Sequence, residues 1–173
     1  MSLGPTARLD PWAYAKELGV VVLGADELEL SPSCSRQLLI DDKGSWSGMT
    51  LKEDGIILIV LNTAHAKQRQ CSTLMHELAH HILDHIPVEV SVAPSGLLLL
   101  SDYSPEQEEE ADWLMGALLL PRCALLERRR LGASADQIKE EFEVSLELCT
   151  WRLRMTGVDA QLRRGNHFGN WRG

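Results

Sequence analysis

Residues 72–83 carry the sequence Ser72-Thr73-Leu74-Met75-His76-Glu77-Leu78-Ala79-His80-His81-Ile82-Leu83, around which the rest of the chain is organised. The stretch contains the pattern H-E-x-x-H in an apolar background, which predicts an amphipathic helix. On a helix, His76 and His80 lie about 40° apart around the axis and one turn apart along it, so both imidazoles can bind one ion. Glu77 points about 100° away from His76, beside that ion, where a general base would reach a bound water.

The donor types favour zinc as this ion, at about one Zn²⁺ per chain, because two histidines and one further ligand with an open position form a typical catalytic zinc site. The apolar residues of the helix fall on one arc, which predicts that it lies in the core and exposes a polar shoulder to a cleft. These residues are Met75, Leu78, Ala79, Ile82, Leu83 and Ile86. His81 and His85 point away from the pair, and we interpret them as surface or hydrogen-bonded histidines that are not ligands.

A second predicted helix supplies the third ligand. Ser104-Pro105-Glu106 has the form of an N-cap, a proline at the first helical position and an acidic first turn, and Pro121 ends the helix. Glu108 lies beside the apolar arc of this helix, whereas its neighbours Glu109 and Glu110 point outward. We therefore expect Glu108 to be the ligand. Asp112, one turn later, is placed to accept the second ring N–H of a ligating histidine.

These motifs together resemble a known family. His76-Glu77-Leu78-Ala79-His80, followed by Glu108-Glu109-Glu110-Ala111-Asp112 and Leu118-Leu119-Leu120-Pro121, is similar to the gluzincin-like zinc metallopeptidases of the ImmA/IrrE family. The resemblance extends from about Asp10 to Val158. It implies a cytoplasmic endopeptidase whose polypeptide substrate is a helix-turn-helix transcriptional repressor, cleaved to release genes of mobile elements or of a stress response.

Composition agrees with an intracellular enzyme. The chain has 173 residues, 45% of them hydrophobic, which suffices for one domain with a core and a small appendage. Its apolar runs are too short to cross a membrane, and its four cysteines lack C-x-x-C spacing, which favours reduced thiols. A net charge of -8 argues against direct contact with nucleic acid and favours encounter with a basic protein.

We predict an α+β fold in which a small antiparallel sheet packs on the H-E-x-x-H helix and on the second ligand-bearing helix. Pro11 to Leu18 is predicted as a helix and Val20 to Leu23 as a short strand. Strands are predicted for Gln37 to Asp41, Ser47 to Lys52 and Ile56 to Leu61, separated by turn sequences. By analogy with zinc peptidases, an extended substrate is expected to add to the sheet edge beside the active-site helix.

Three further polar residues are candidates for stabilising charge in a transition state. His65 and Arg69 lie in the segment that leads to the zinc helix, and Tyr103 closes the segment before the second ligand helix. Tyrosine can donate a hydrogen bond to a developing oxyanion, but a lone tyrosine also often lies at the edge of a core. Within 87–104, Val88 to Val92 alternates like a strand, and Leu97 to Leu100 is consistent with an edge strand, a flap or a partner-facing patch.

The domain division that we expect is a disordered leader (1–9), a zinc metallopeptidase domain (10–130), a helix-turn-helix-like helical subdomain (131–158) and a flexible tail (159–173). The helix pair within 131–158 is rich in acidic residues, so we interpret it as a scaffold and not as a DNA-binding unit. Two other function classes stay open. One is a zinc-containing module that sequesters a repressor without cleaving it, which an intact Glu77 argues against, and the other is a DNA-binding regulator.

Overall fold

A computed structural model describes residues 4–92, 98–101 and 103–169, and in them the chain is α+β, as predicted. The chain divides into one unit that spans Asp10–Met115 and a second formed by Gly116–Gly173 with Ser2–Leu9. The boundary falls inside a helix, Pro105–Leu119. The finer division into a peptidase domain and a helix-turn-helix-like subdomain stays a prediction.

The first unit contains a five-stranded mixed sheet in the described residues. Its strands are β1 (Val21–Gly24), β2 (Gly48–Glu53), β3 (Ile56–Leu61), β4 (Glu89–Val92) and β5 (Leu98–Ser101), in the spatial order β1-β3-β2-β5-β4. The pairs β2/β3, β2/β5 and β4/β5 are antiparallel, as predicted for the small sheet. The addition of β1 parallel to β3 makes the sheet mixed.

The hairpin between β2 and β3 follows from its turn sequence. Asp54 and Gly55 both have positive φ angles, 49° and 82°, which is the conformation that a two-residue turn needs to match the twist of its strands. Leu98 to Leu100, the described part of the run Leu97 to Leu100, is not an edge strand, because β5 lies between β2 and β4. Residues 93–97, between β4 and β5, lie outside the described residues.

The strand predicted for Gln37 to Asp41 is wrong. Helix α2 (Pro32–Arg36) runs directly into a π-helical turn, Gln37–Asp41. The helix begins with Ser31, whose hydroxyl accepts a hydrogen bond from the Cys34 backbone N–H at 3.3 Å, and with Pro32 at its first position. Since the chain is already helical at Arg36, the following apolar residues continue the helical conformation and do not pair with the sheet.

The core of the first unit forms between the sheet, α1 (Pro11–Glu17) and α3 (Lys67–Ile82). Asp10 caps α1 by accepting the Trp12 N–H at 3.0 Å. The residues buried together in this core are Ala15, Val20, Ile59, Leu61, Leu74 and Leu78. Each large side chain of this set contributes about 1.5–3 kcal/mol by leaving water. This packing fixes α3 against the sheet and thereby fixes the direction of its histidines.

Helix α3 ends earlier than its apolar arc predicts. Its last residue is Ile82, and Asp84 has a left-handed φ of 51° that stops the helix. Leu83 and Ile86, which we expected on the buried arc, are 39% and 78% exposed. The prediction of an apolar arc on this helix is therefore correct through Ile82 and wrong for Leu83 and Ile86.

The second unit is helical. Helix α4 (Pro105–Leu119) enters it, followed by α5 (Arg122–Arg130), α6 (Ala135–Phe142), α7 (Leu146–Thr156) and α8 (Val158–Gly169). Ser134 and Gln137 form a capping box at the start of α6, and Ser145 caps α7. In the described residues, no helix is both long and apolar enough to cross a bilayer.

Parts of the predicted leader and tail have defined structure and contacts in the described residues. Helix α8 occupies residues 158–169, most of the predicted flexible tail, and begins at the fully buried Val158. Arg129 and Asp159 form an ion pair at 2.7 Å that holds its first turn. At the other end, an Arg8 guanidinium N–H donates to Glu143 at 2.7 Å, so part of the predicted leader is also held. Residues 1–3 and 170–173 lie outside the described residues.

Candidate metal centre

Three side chains of the first unit meet at one point. Helix α3 presents His76 and His80, and α4 presents Glu108. Their possible ligand atoms all lie within 4.8 Å of one another. His76 Nε2 is 3.1 Å from Glu108 Oε2 and 3.1 Å from His80 Nε2, and His80 Nε2 is 3.8 Å from Glu108 Oε1. The two histidines and the glutamate selected from the sequence could thus hold one metal ion.

The protonation of this group fits a cation at its centre. Asp112 Oδ1 lies 3.0 Å from His76 Nδ1, and an ionised carboxylate can only accept, so Nδ1 of a neutral His76 carries the proton. His76 Nε2 is then a bare lone pair that faces the Glu108 carboxylate, which is also an acceptor. Acceptors that face each other at hydrogen-bond distance need either a proton or a metal cation between them. Two nitrogens and one oxygen are ligand atoms that suit a borderline divalent ion.

His80 is the most buried member of the group. It is 3% exposed, and burial, with smaller electrostatic contributions from His76 and His85, lowers the pKa of His80 to about 3. The imidazole is therefore neutral over the whole physiological range. A neutral imidazole is the form that ligates metals, because a protonated ring has no lone pair to give.

Glu77 lies beside this group without belonging to it. Its Oε2 accepts a hydrogen bond of 2.5 Å from the Thr50 hydroxyl on β2. Burial raises the pKa of Glu77 above its ordinary value of 4.5, the Thr50 hydrogen bond and His76 lower this pKa, and Glu108 raises it. A carboxylate whose basicity is raised in this way is well suited to accept a proton.

Thr50, which is only 6% exposed, is not among the site residues predicted from the sequence. Its partner in β3 is Ile59 and its partner in β5 is Leu100. The available signal is the strand period of two, which puts Gly48, Thr50 and Lys52 on one face of β2. That signal does not say which helix this face meets, so the contact with Glu77 required the structure.

Of the three candidates for stabilising charge in a transition state, Tyr103 lies beside the ligand group, whereas His65 and Arg69 do not. The Tyr103 ring stacks on His80 with 3.7 Å between ring centroids. Burial, together with the charges of Glu77 and Glu108, raises the pKa of Tyr103 to about 12, so its hydroxyl remains a donor. His65 lies 2.8 Å from the Lys43 carbonyl and Arg69 donates to Ser47, and neither joins the ligand group or the adjacent cavity.

A cavity of about 370 Å³ opens next to Glu77 and His80. Its polar wall includes Thr50 and Tyr103, and its other residues include the apolar Ile57, Ile86 and Pro87. The exposed Ile86 beyond the end of α3 thus contributes to a cavity wall. An apolar recess beside a buried carboxylate and a possible metal site can receive one side chain of a bound polypeptide.

Comparison with known proteins identifies the family. The model of the peptidase M78 family, described as IrrE N-terminal-like domain, matches residues 46–154, which is more than half of the chain. No curated protein and no solved structure matches the chain. The matched range contains β2 with Thr50, the H-E-x-x-H of α3, and Glu108 and Asp112 of α4. The chain therefore belongs to the peptidase M78 family, whose IrrE-type members it already resembled in sequence.

Proposed function

We propose that this chain is a zinc-dependent endopeptidase in which His76, His80 and Glu108 hold the metal and Glu77 is the general base. Family membership supports a peptidase, and the geometry of the site supports the finer assignment. The finer assignment rests on one observation. Three possible ligand atoms converge, while the Glu77 carboxylate accepts a hydrogen bond from Thr50 and is not one of the three.

Each residue then has a separate task. Zinc, when bound, supplies the Lewis acidity that activates water and polarises a peptide carbonyl. Glu77 accepts the proton that water loses and returns it to the leaving amine, while Asp112 fixes the ring of His76. Tyr103, whose hydroxyl stays protonated, is the candidate donor to the oxygen that gains charge.

The substrate that we propose is a helix-turn-helix transcriptional repressor, cleaved to relieve repression. The family resemblance suggests it, and the net charge of -8 favours encounter with a basic DNA-binding protein. The sheet order places β4 at one edge, and β4 is linked through β5 to the strand that carries Thr50. An extended segment of substrate could pair with such an edge by backbone hydrogen bonds.

Metal analysis of ligand variants tests the site. Purified protein is expected to hold about one zinc per chain, and His76→Ala, His80→Ala or Glu108→Ala should each weaken zinc binding strongly, because each removes a ligand. Glu109→Ala is the matched control, since Glu109 is an exposed carboxylate on the same turn of α4. A loss of zinc in the Glu109 variant with none in the Glu108 variant would refute this assignment of helix faces.

A further inference from the structure

His85 lies behind the candidate ligand His80. Its side chain is only 5% exposed, and its Nδ1 lies 3.0 Å from Nδ1 of His80. The left-handed Asp84 turns the chain after α3, so that the His85 backbone N–H donates to the His80 carbonyl at 3.0 Å. Two contacts, one through the backbone and one through the rings, therefore hold the His85 imidazole against His80.

The other ring nitrogen of His85 faces a carboxylate. His85 Nε2 lies 3.1 Å from Glu110 Oε2 on α4. An ionised carboxylate only accepts, so a neutral His85 that bonds Glu110 carries its one proton on Nε2, and its Nδ1 is an acceptor. An acceptor at this position requires a donor opposite, so the proton of a neutral His80 sits on its Nδ1. The Nε2 lone pair of His80 is left free, and this is the atom that faces Glu108 and His76.

We propose that His85 is a positioning residue that holds His80 in its Nδ1–H tautomer and directs its Nε2 toward the metal, with Glu110 orienting His85 in turn. The proposal rests on the assignment of His80 as a metal ligand. It gives the two histidines of H-E-x-x-H equivalent support: Asp112 accepts from Nδ1 of His76 directly, and Glu110 acts on Nδ1 of His80 through one imidazole. Such partners of a ligand fix ring orientation and raise metal affinity.

The tautomer of His80 can be measured without metal. In ¹⁵N-labelled, metal-free protein at neutral pH, long-range ¹H–¹⁵N correlation spectra distinguish a ring protonated at Nδ1 from one protonated at Nε2. Wild-type His80 is expected to be the Nδ1–H form. In His85→Leu, which removes the acceptor but keeps an apolar side chain, the preference should be lost. A wild-type His80 found in the Nε2–H form would overturn the proposal.

Zinc affinity, measured by competition with a chromogenic chelator, gives the second readout. His85→Leu should weaken zinc binding by about tenfold to a hundredfold, as is typical when the partner of a ligand is removed. His85→Asn, whose amide oxygen can take the place of Nδ1 as acceptor, should recover most of that loss. Equal losses in the two variants would show that His85 only fills space and would refute the positioning role.

Glu110 and Glu109 form a matched pair on α4, because both are exposed and only Glu110 contacts His85 in the described contacts. Glu110→Ala should lower zinc affinity less than His85→Leu does, and Glu109→Ala should leave it unchanged. Equal effects of the two alanine variants would remove Glu110 from the proposal. A wild-type chain that binds no zinc would instead refute the proposed function, while the tautomer measurement would still decide the role of His85.

Discussion

At the scale of single residues, the basicity of Glu77 results from opposed influences. Burial raises its pKa, whereas the hydrogen bond from Thr50 lowers it. Only the ionised carboxylate can accept a proton, so activity is expected to fall as the pH falls through the pKa of the group. Because that pKa is raised, the loss should begin at a higher pH than for an ordinary glutamate, with an apparent value that belongs to the coupled groups of the site.

Thr50→Val tests this balance with almost no change in volume. Removing the hydroxyl removes a contact that lowers the pKa of Glu77, so the pKa should rise further and a smaller fraction of Glu77 should be ionised at acid pH. We expect the acid limb of the kcat/KM profile to move to higher pH. Thr50→Ser keeps the hydroxyl and should follow the wild-type profile. Identical acid limbs in the valine variant and the wild type would contradict this role of Thr50.

At the scale of elements, the approach of β2 to α3 depends on Gly48. A Cβ on Gly48 would lie 2.7 Å from the Thr73 methyl group of α3 and 3.4 Å from the Val60 carbonyl. The strand can therefore lie this close to the helix only with glycine at position 48. This close packing brings Thr50, two residues along the same face, within hydrogen-bond distance of Glu77.

Gly48→Ala should destabilise the protein by about 1–3 kcal/mol, the usual cost of inserting an extra carbon into a packed interface. Urea unfolding measures this difference directly. Gly44→Ala is the control, because nothing lies within 4 Å of a Cβ at that position and its φ is not in the left-handed region. The control should stay within about 0.5 kcal/mol of the wild type. If the two variants were equally stable, the proposed close contact between β2 and α3 would be wrong.

The elements that the sequence predicted well carry local signals that point to one conformation. Helices α4, α6 and α7 have serine caps, and the β2–β3 hairpin has its Asp54-Gly55 turn. Gln37 to Asp41 has no such signal, because a short apolar run fits a strand or a helix equally well. Its conformation is set by the preceding α2, which begins with the Ser31 cap and Pro32.

The distinction between local sequence signals and tertiary packing also applies to the candidate site. The grouping of His76 with His80 follows from helix geometry alone, and Glu108 from the polarity of its helix faces. Thr50 and His85 could not be found in this way, since their roles depend on the packing of β2 against α3 and on the chain reversal at Asp84. Periodicity places residues on one element, and the contacts between elements come from tertiary packing.

At the scale of the whole molecule, the charge of the chain favours a peptidase over a DNA-binding regulator. The net charge is -8, and cations of the second unit already pair with its carboxylates. Arg128 bonds Glu141 at 2.8 Å, Arg8 bonds Glu143, and Lys139 lies 3.7 Å from Asp136. Few of these positive charges are free to replace the counterions of DNA.

This chain alone is therefore expected to show no salt-sensitive binding to duplex DNA at physiological ionic strength. Fluorescence anisotropy with labelled duplexes, including the operator of the candidate repressor, measures this over a range of salt concentrations. The repressor itself serves as the positive control on the same duplex. Sub-micromolar binding of this chain to a defined duplex would instead support the alternative that the chain is a DNA-binding regulator.

The most direct test of the peptidase compares wild type with Glu77→Gln at matched zinc occupancy. A helix-turn-helix repressor encoded near this chain is incubated with each, and the products are followed by mass spectrometry. Glutamine keeps the size of Glu77 and can still bond Thr50, but it cannot accept a proton, so zinc content and repressor binding should survive. Cleavage should slow by about a hundredfold to ten-thousandfold, the usual contribution of a positioned general base. Cleavage by the variant at the wild-type rate would contradict the role of Glu77, and relief of repression by both proteins without any cleavage would show that the protein acts by sequestration.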